Sequence, residues 1–306
     1  MRNYFAKRIT DWAQKDEKIV LLSGDIGNRL FDKFKESCPG RFYNCGVAEA
    51  NMVGVAAGLA IQGFRPVCYT IAPFLTYRAM EQIRVDLGYH HLPVILVGTG
   101  GGLSYASLGG THHSCEELGM LRLIPGMRVA APSDNRELEM ILSHSLESTS
   151  PCYIRIGKKG EPVIHPTPLK ASPGQPLCLR TGKEVALVAC GTILPEVVLA
   201  AEHLKREGIT ASVFSQPYLK PFADEEWNHI FQEHRLVVSI EEHSRLGGLG
   251  GALAEWKSNK PKSSPLLRLG TPDEFLHRTT DQEGARKYFH LDAEGIGKSV
   301  KDFLRS

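Results

Sequence analysis

Short apolar runs alternate along the chain with longer stretches whose apolar residues recur at helical spacing. Runs at 19–23, 66–71, 93–98, 128–131 and 152–156 predict strands. Between them, 28–37, 48–62, 74–87, 114–123 and 134–148 predict helices. Such alternation predicts an α/β domain with a mainly parallel sheet flanked by helices. Residues 157–183 break the pattern with Pro162, Pro166, Pro168, Pro173 and Pro176, the composition of a linker. A second alternation follows, with strands expected at 185–189, 211–215, 236–240 and 266–269. Its helices are expected at 194–207, 224–233, 250–257, 281–288 and 293–304. The expected organisation is two such α/β domains, 1–160 and 183–306, joined by a linker at 161–182. Ser114 with Glu117, and Asp134 with Glu137, have capping-box spacing, which gives both glutamates a structural role.

Composition narrows the function. Lysine plus arginine total 36 against 34 acids, so no electrostatic case exists for nucleic acid or an anionic membrane. The amino-terminal stretch is charged and amphipathic without a secretory apolar core, and no apolar run is long enough to span a bilayer. The seven cysteines are well spread with no Cys-x-x-Cys pair, which predicts buried thiols, a cytoplasmic setting and neither disulfides nor zinc.

Three segments could carry chemistry. Glu49 lies in Gly46–Ala60, a segment small and apolar nearly all round. A carboxylate buried there would have its pKa raised and suit proton exchange; near a helix start it would also be favoured by the helix dipole. The loop from Val97 to His113 is glycine-rich, follows a predicted strand and ends in His112 and His113. Loops at the carboxyl ends of strands are where open α/β sheets place ligands, and imidazole shuttles protons near neutral pH. Phe74 and Tyr77 stand at helical spacing, as core or as a stacking wall for a planar heterocycle. Arg78 and Arg155 could bind an anionic group or serve in salt bridges.

Taken in order, these segments resemble the thiamine-diphosphate enzymes of the transketolase family. Its relatives include deoxyxylulose-phosphate synthase and the beta subunits of 2-oxoacid dehydrogenases. The resemblance rests on Gly46–Ala60 with Glu49, Phe74–Arg78, Gly109–His113, and Leu121–Met127 leading to Ala131–Asp134. The second half adds Glu241–Gly250 and Gly270–Phe275. It implies a pyrimidine-binding domain followed by the family's carboxy-terminal domain. It also implies that Glu49 hydrogen-bonds the cofactor's aminopyrimidine and promotes removal of the thiazolium proton. Phe74 would stack on that ring with Tyr77 nearby. His112 would contact the substrate oxygen, with His113 beside it. Arg78, Arg155 and Lys158 would bind a substrate phosphate, and Asp25 matches an acidic residue near the subunit interface.

Two departures matter. The family's magnesium-diphosphate signature is Gly-Asp-Gly followed by asparagine. Here Gly24-Asp25-Ile26 lacks the third glycine and Asn51 lies within the Glu49 helix, so no metal ligand is assigned. The resemblance is therefore to the carboxy-terminal subunit of a split transketolase. Mg2+ and the diphosphate of thiamine diphosphate would be held mainly by an amino-terminal partner subunit, while this chain would bind the cofactor's aminopyrimidine, in a two-plus-two heterotetramer with self-dimer contacts. Leu108 also stands where many members have an acidic residue that contacts a donor hydroxyl, and a further family histidine falls near Gly100. A modified sugar is the expected substrate. The expected reaction is two-carbon ketol transfer between sugar-like substrates. The alternatives are acyl transfer or decarboxylation from pyruvate or another 2-oxoacid, and a non-catalytic scaffold.

Overall fold

The computed structural model describes every residue except Asn28 and Pro261. Among the described residues twelve strands form: β1 (Ile19–Ser23), β2 (Phe42–Asn44), β3 (Arg65–Ile71), β4 (Ile95–Thr99), β5 (Arg128–Ala130), β6 (Cys152–Ile156), β7 (Leu177–Arg180), β8 (Val185–Cys190), β9 (Ala211–Ser215), β10 (Tyr218–Lys220), β11 (Leu236–Ser244) and β12 (Leu266–Thr271). One sheet has seven strands in the order β10-β5-β6-β4-β3-β1-β2; the other has five, β12-β11-β8-β9-β7. Pairing is parallel except at two edges, where β10 runs antiparallel to β5 and β7 to β9. The central strands β1, β4, β6 and β8 are buried along their whole length. Helices cover both of their faces, so their apolar runs need no alternation.

The helix Glu49–Ile61 connects β2 to β3 and lays Met52, Val53, Ala56, Ala57 and Ala60 on the first sheet. One apolar cluster continues from these residues to Trp227, Leu249 and Leu253 of the second half. The halves are thus fused by a common core, and β10 also crosses from the second half to edge the first sheet. The ammonium of Lys220 on β10 donates to the carbonyls of Arg122 and Ile124, at 3.1 and 2.6 Å, where a helix ends.

Several expectations need correction. The stretch 74–87 is not one helix. It divides into Ala72–Thr76, the single turn Met80–Gln82 and a π-helical segment Ile83–Tyr89. The helix expected over 28–37 covers Asp32–Ser37, and its predicted start at Asn28 lies outside the described residues. The end of the expected linker folds as β7 because it pairs with β9. Cys178 is exposed and Cys45 half-buried, whereas the other five cysteines are buried; all seven are free. Among the described residues no helix is long and apolar enough to cross a membrane.

Ser114 does not cap a helix. The helix starts at Glu117, and the Ser114 hydroxyl is buried without a partner. Asp134 does cap Asn135–Glu147, accepting from the N–H groups of Arg136 and Glu137 at 2.9 and 3.0 Å. Its other oxygen accepts from the N–H groups of Ile164 and His165, 2.8 and 2.9 Å away, and so ties the linker down. Burial would raise the Asp134 pKa, but the His165 ring and these N–H groups overcome it and hold the carboxyl at about 2. A folded-state pKa below the unfolded one stabilises at pH above the ordinary carboxylate value, and the benefit vanishes as pH falls through about 2. Asp134→Ala should therefore cost about 2 kcal/mol near pH 7, the upper end for a helix cap. The deficit should shrink in urea melts as pH falls through the carboxylate range.

Candidate active site

In the first sheet, chain order reverses between β1 and β3, whose neighbours lie on opposite sides. Open α/β sheets bind ligands outside the strand carboxyl ends at such a switch point. Glu49, the first residue of its helix, enters this crevice and is only 2% exposed. Thr70, near the end of β3, donates its hydroxyl to the Glu49 carboxylate at 3.4 Å. Gly24 follows β1, and its N–H donates to the Tyr69 carbonyl at 3.2 Å. A Cβ on Gly24 would lie 2.8 Å from the Thr70 hydroxyl and 3.3 Å from Glu49. Glycine is therefore what lets the carboxylate approach the two strand ends. A buried carboxylate needs such partners to offset its lost hydration.

A continuous line of contacts leads outward from Glu49. Arg78 donates Nη1 to the carboxylate at 3.1 Å and lays its guanidinium 4.0 Å from the Phe74 ring centroid. The Phe74 ring meets the His112 imidazole at 5.0 Å between centroids, and His112 lies 5.9 Å from the Tyr105 ring. The Lys158 ammonium stands 4.7 Å over Tyr105. The crevice thus gathers a buried carboxylate, a half-buried aromatic ring with Arg78 over one face, a half-buried imidazole and two exposed cations. Carboxylate and ring face suit a planar heterocycle with a basic ring nitrogen; the cations suit an anionic substrate group.

His112 is joined at Nδ1 to the Thr111 hydroxyl, 2.9 Å away. Burial lowers its pKa first, and His113 and Arg78 lower it further. Its neutral, proton-accepting form therefore persists to lower pH than for a free imidazole. The acid limb of a pH–rate profile should fall below pH ~6.5, the ordinary histidine value. Arg78→Ala should move that limb upward, read from turnover at saturating substrate.

Other expected site residues lie elsewhere. Arg155 is a correction: it is buried, with Nε and Nη2 on the two Glu117 oxygens at 2.5 and 2.6 Å. Its remaining reach goes to the carbonyls of Ser114 and Glu242, both 2.9 Å away. It is thus committed to the interior and offers nothing to a substrate phosphate. His113 is also buried and contacts the Ala106 carbonyl at 3.2 Å, so it braces the loop and does not face Phe74. Tyr77 donates its hydroxyl to Glu116 at 2.5 Å, tying the Phe74 segment to the helix that follows the loop. Asp25 is exposed and accepts from the Asn44 amide at 2.9 Å. Among the described residues no cluster of three or more His, Cys, Asp or Glu could hold a metal ion.

Gly24, Thr70 and Tyr105 are site residues that the sequence reading missed. The first two end strands whose adjacency is non-local. Tyr105 could have been inferred from Gly100: a Cβ on that glycine, at φ 74°, would lie 1.9 Å from the Tyr105 ring. The ring takes up the space that a side chain at position 100 would need.

Comparison with known proteins matches both halves of the chain. The family profile described as transketolase, pyrimidine binding domain, matches residues 1–161, and that of the transketolase C-terminal domain matches 174–296. One of the subunits of an apulose-4-phosphate transketolase from Phocaeicola vulgatus is 31% identical, over 99% of this chain and 97% of its own. A 6-deoxy-6-sulfo-D-fructose transketolase subunit of a Clostridium species is 36% identical, over 100% and 92%. A solved structure described as a split gene transketolase, inactive beta4 tetramer, superposes with a TM-score of 0.89 at 32% identity, covering 98% of this chain and 96% of that one. With both domains matched in order, and with relatives of its own size that are themselves subunits, the chain belongs to the transketolase family, as the carboxy-terminal subunit of its split form.

Proposed function

We propose that this chain completes a thiamine-diphosphate-dependent transferase with a separate amino-terminal subunit, and that the pair moves a two-carbon ketol unit between modified sugars. The observation that carries the reading is the buried Glu49 carboxylate linked through Arg78 to the half-buried Phe74 ring at the β1/β3 switch point. A carboxyl there can hydrogen-bond a ring nitrogen, and Phe74 can stack on the ring, with Thr70 keeping Glu49 oriented. When bound, the cofactor supplies a carbon nucleophile and an electron sink. Glu49 holds a proton at the pyrimidine ring nitrogen, and His112 takes or returns one at the substrate oxygen. Arg78 and Lys158 bind the substrate's anionic end. Magnesium and the diphosphate fall to the partner subunit.

Assembly is proposed as two-plus-two. The outer face of the Glu49–Ile61 helix presents Val55, Gly58 and Ile61 to solvent, and a Cβ on Gly58 would meet nothing within 4 Å. A second helix can approach closely there, which suits a self-dimer contact.

Leu108 is exposed on the site loop, and Tyr105 fills the space beside Gly100. An apolar side chain cannot bond a donor hydroxyl, so the pocket favours ketoses altered at that position. The names of the two relatives, for apulose 4-phosphate and a sulfofructose, support this class. A panel of ordinary and modified ketose donors, assayed with the assembled pair, tests the reading. Preference for a modified donor supports it; fast turnover with xylulose 5-phosphate alone overturns it.

A further inference from the structure

We propose that the second domain takes a direct part in turnover through Glu242, a positioning residue that fixes the loop bearing Tyr105 and His112. The catalytic part of this inference rests on the transferase reading above. In the second sheet, chain order reverses between β8 and β11, so its ligand crevice should lie at their carboxyl ends. That crevice holds the first domain's loop. Gly102, at φ 62°, packs so closely there that a Cβ would lie 2.6 Å from a Glu242 carboxylate oxygen.

Glu242 is 3% exposed and fully engaged. Its carboxylate accepts from the Leu103 backbone N–H at 3.1 Å. Gln282 donates to both of its oxygens, at 2.9 and 3.0 Å, and also reaches the Ser104 hydroxyl at 3.4 Å. Arg286 donates Nε at 2.5 Å and anchors the group to the Thr192 carbonyl just past β8. The carboxylate therefore holds the loop directly at Leu103, two residues before Tyr105, and reaches Ser104 through Gln282, while Gly102 and Ser114 exchange backbone hydrogen bonds at 2.8 and 3.0 Å. The loop is closed at its base, and from the closed part Tyr105 meets His112, which in turn meets Phe74. Misplacing a reacting group by about 1 Å can cost 10²-fold in rate, so a buried anion at the loop's base is placed to set turnover.

Glu242→Gln tests this, because it keeps the volume but turns an amide N–H2 toward a ring of donors. In the assembled enzyme, kcat should fall about 100-fold, with donor KM and cofactor affinity within about threefold. A purely structural role would instead lower melting temperature, cofactor affinity and turnover together, and that result overturns the proposal. In the isolated full-length chain, hydrogen exchange across residues 101–114 should accelerate while unfolding stays cooperative. Unchanged exchange overturns the positioning role whatever reaction the wild-type enzyme proves to catalyse. Failure of the wild-type pair to transfer ketol units sinks the transferase reading and not the exchange result. Should Glu242→Gln not fold, Gln282→Ala removes only the bridge to Ser104 and Glu242. Its kcat should fall about 10-fold, and unaltered turnover and exchange contradict the proposal.

Discussion

Glu49→Gln is expected to lower turnover by about 10²- to 10⁴-fold, the usual contribution of a positioned proton-transfer group. The substitution keeps the side chain's shape at the β1/β3 crevice, where the Thr70 hydroxyl can still bond the remaining carbonyl oxygen. What is lost is the ionisable oxygen that a basic ring nitrogen needs. Arg78 also loses its ion-pair partner, but its side chain is 46% exposed, so the effect on stability is small. Circular dichroism and the melting temperature should stay close to wild type while single-turnover rates collapse. Activity within tenfold of wild type would remove Glu49 from the chemistry and favour a scaffold subunit.

The largest stability effect is expected at Arg155→Ala. Arg155 and Glu117 form a two-pronged ion pair in the interior, with side-chain exposures of 8% and 0%. Removing one member of a buried pair strands the other charge and costs about 3–5 kcal/mol. Part of the cost is structural, because Arg155 also binds the carbonyls of Ser114 and Glu242 and so joins both domains. The melting temperature should drop by about 10 °C for a protein of this size. Replacing both members by Arg155→Met with Glu117→Leu should recover much of the loss, since buried pairs are often no better than apolar packing. Normal stability with impaired substrate binding would instead restore Arg155 to the substrate site.

Some of this was legible from the residues alone. The strands β1 and β6 match the runs read from the sequence, because both are short, apolar and bounded by turn residues. Glu49 was conspicuous because a carboxylate stood in an apolar helix, and burial explains why it stands apart. Arg155 was misread although its setting held the clue. A charged residue inside a central parallel strand is buried on both faces and must be paired. Glu117 was misassigned for the complementary reason: capping-box spacing is local, whereas its real partner lies 38 residues away. Strand order could not be read from periodicity, so the adjacency of Gly24, Thr70 and Glu49 emerged only from the fold.

The proposed cofactor site is shared between this chain and a separate subunit. Calorimetric titration of thiamine diphosphate with magnesium tests it most directly, first into this chain alone and then into its mixture with the amino-terminal half. Tight binding in the mixture with none to the isolated chain is the predicted result; tight binding to this chain alone, or no binding in the mixture, would contradict it.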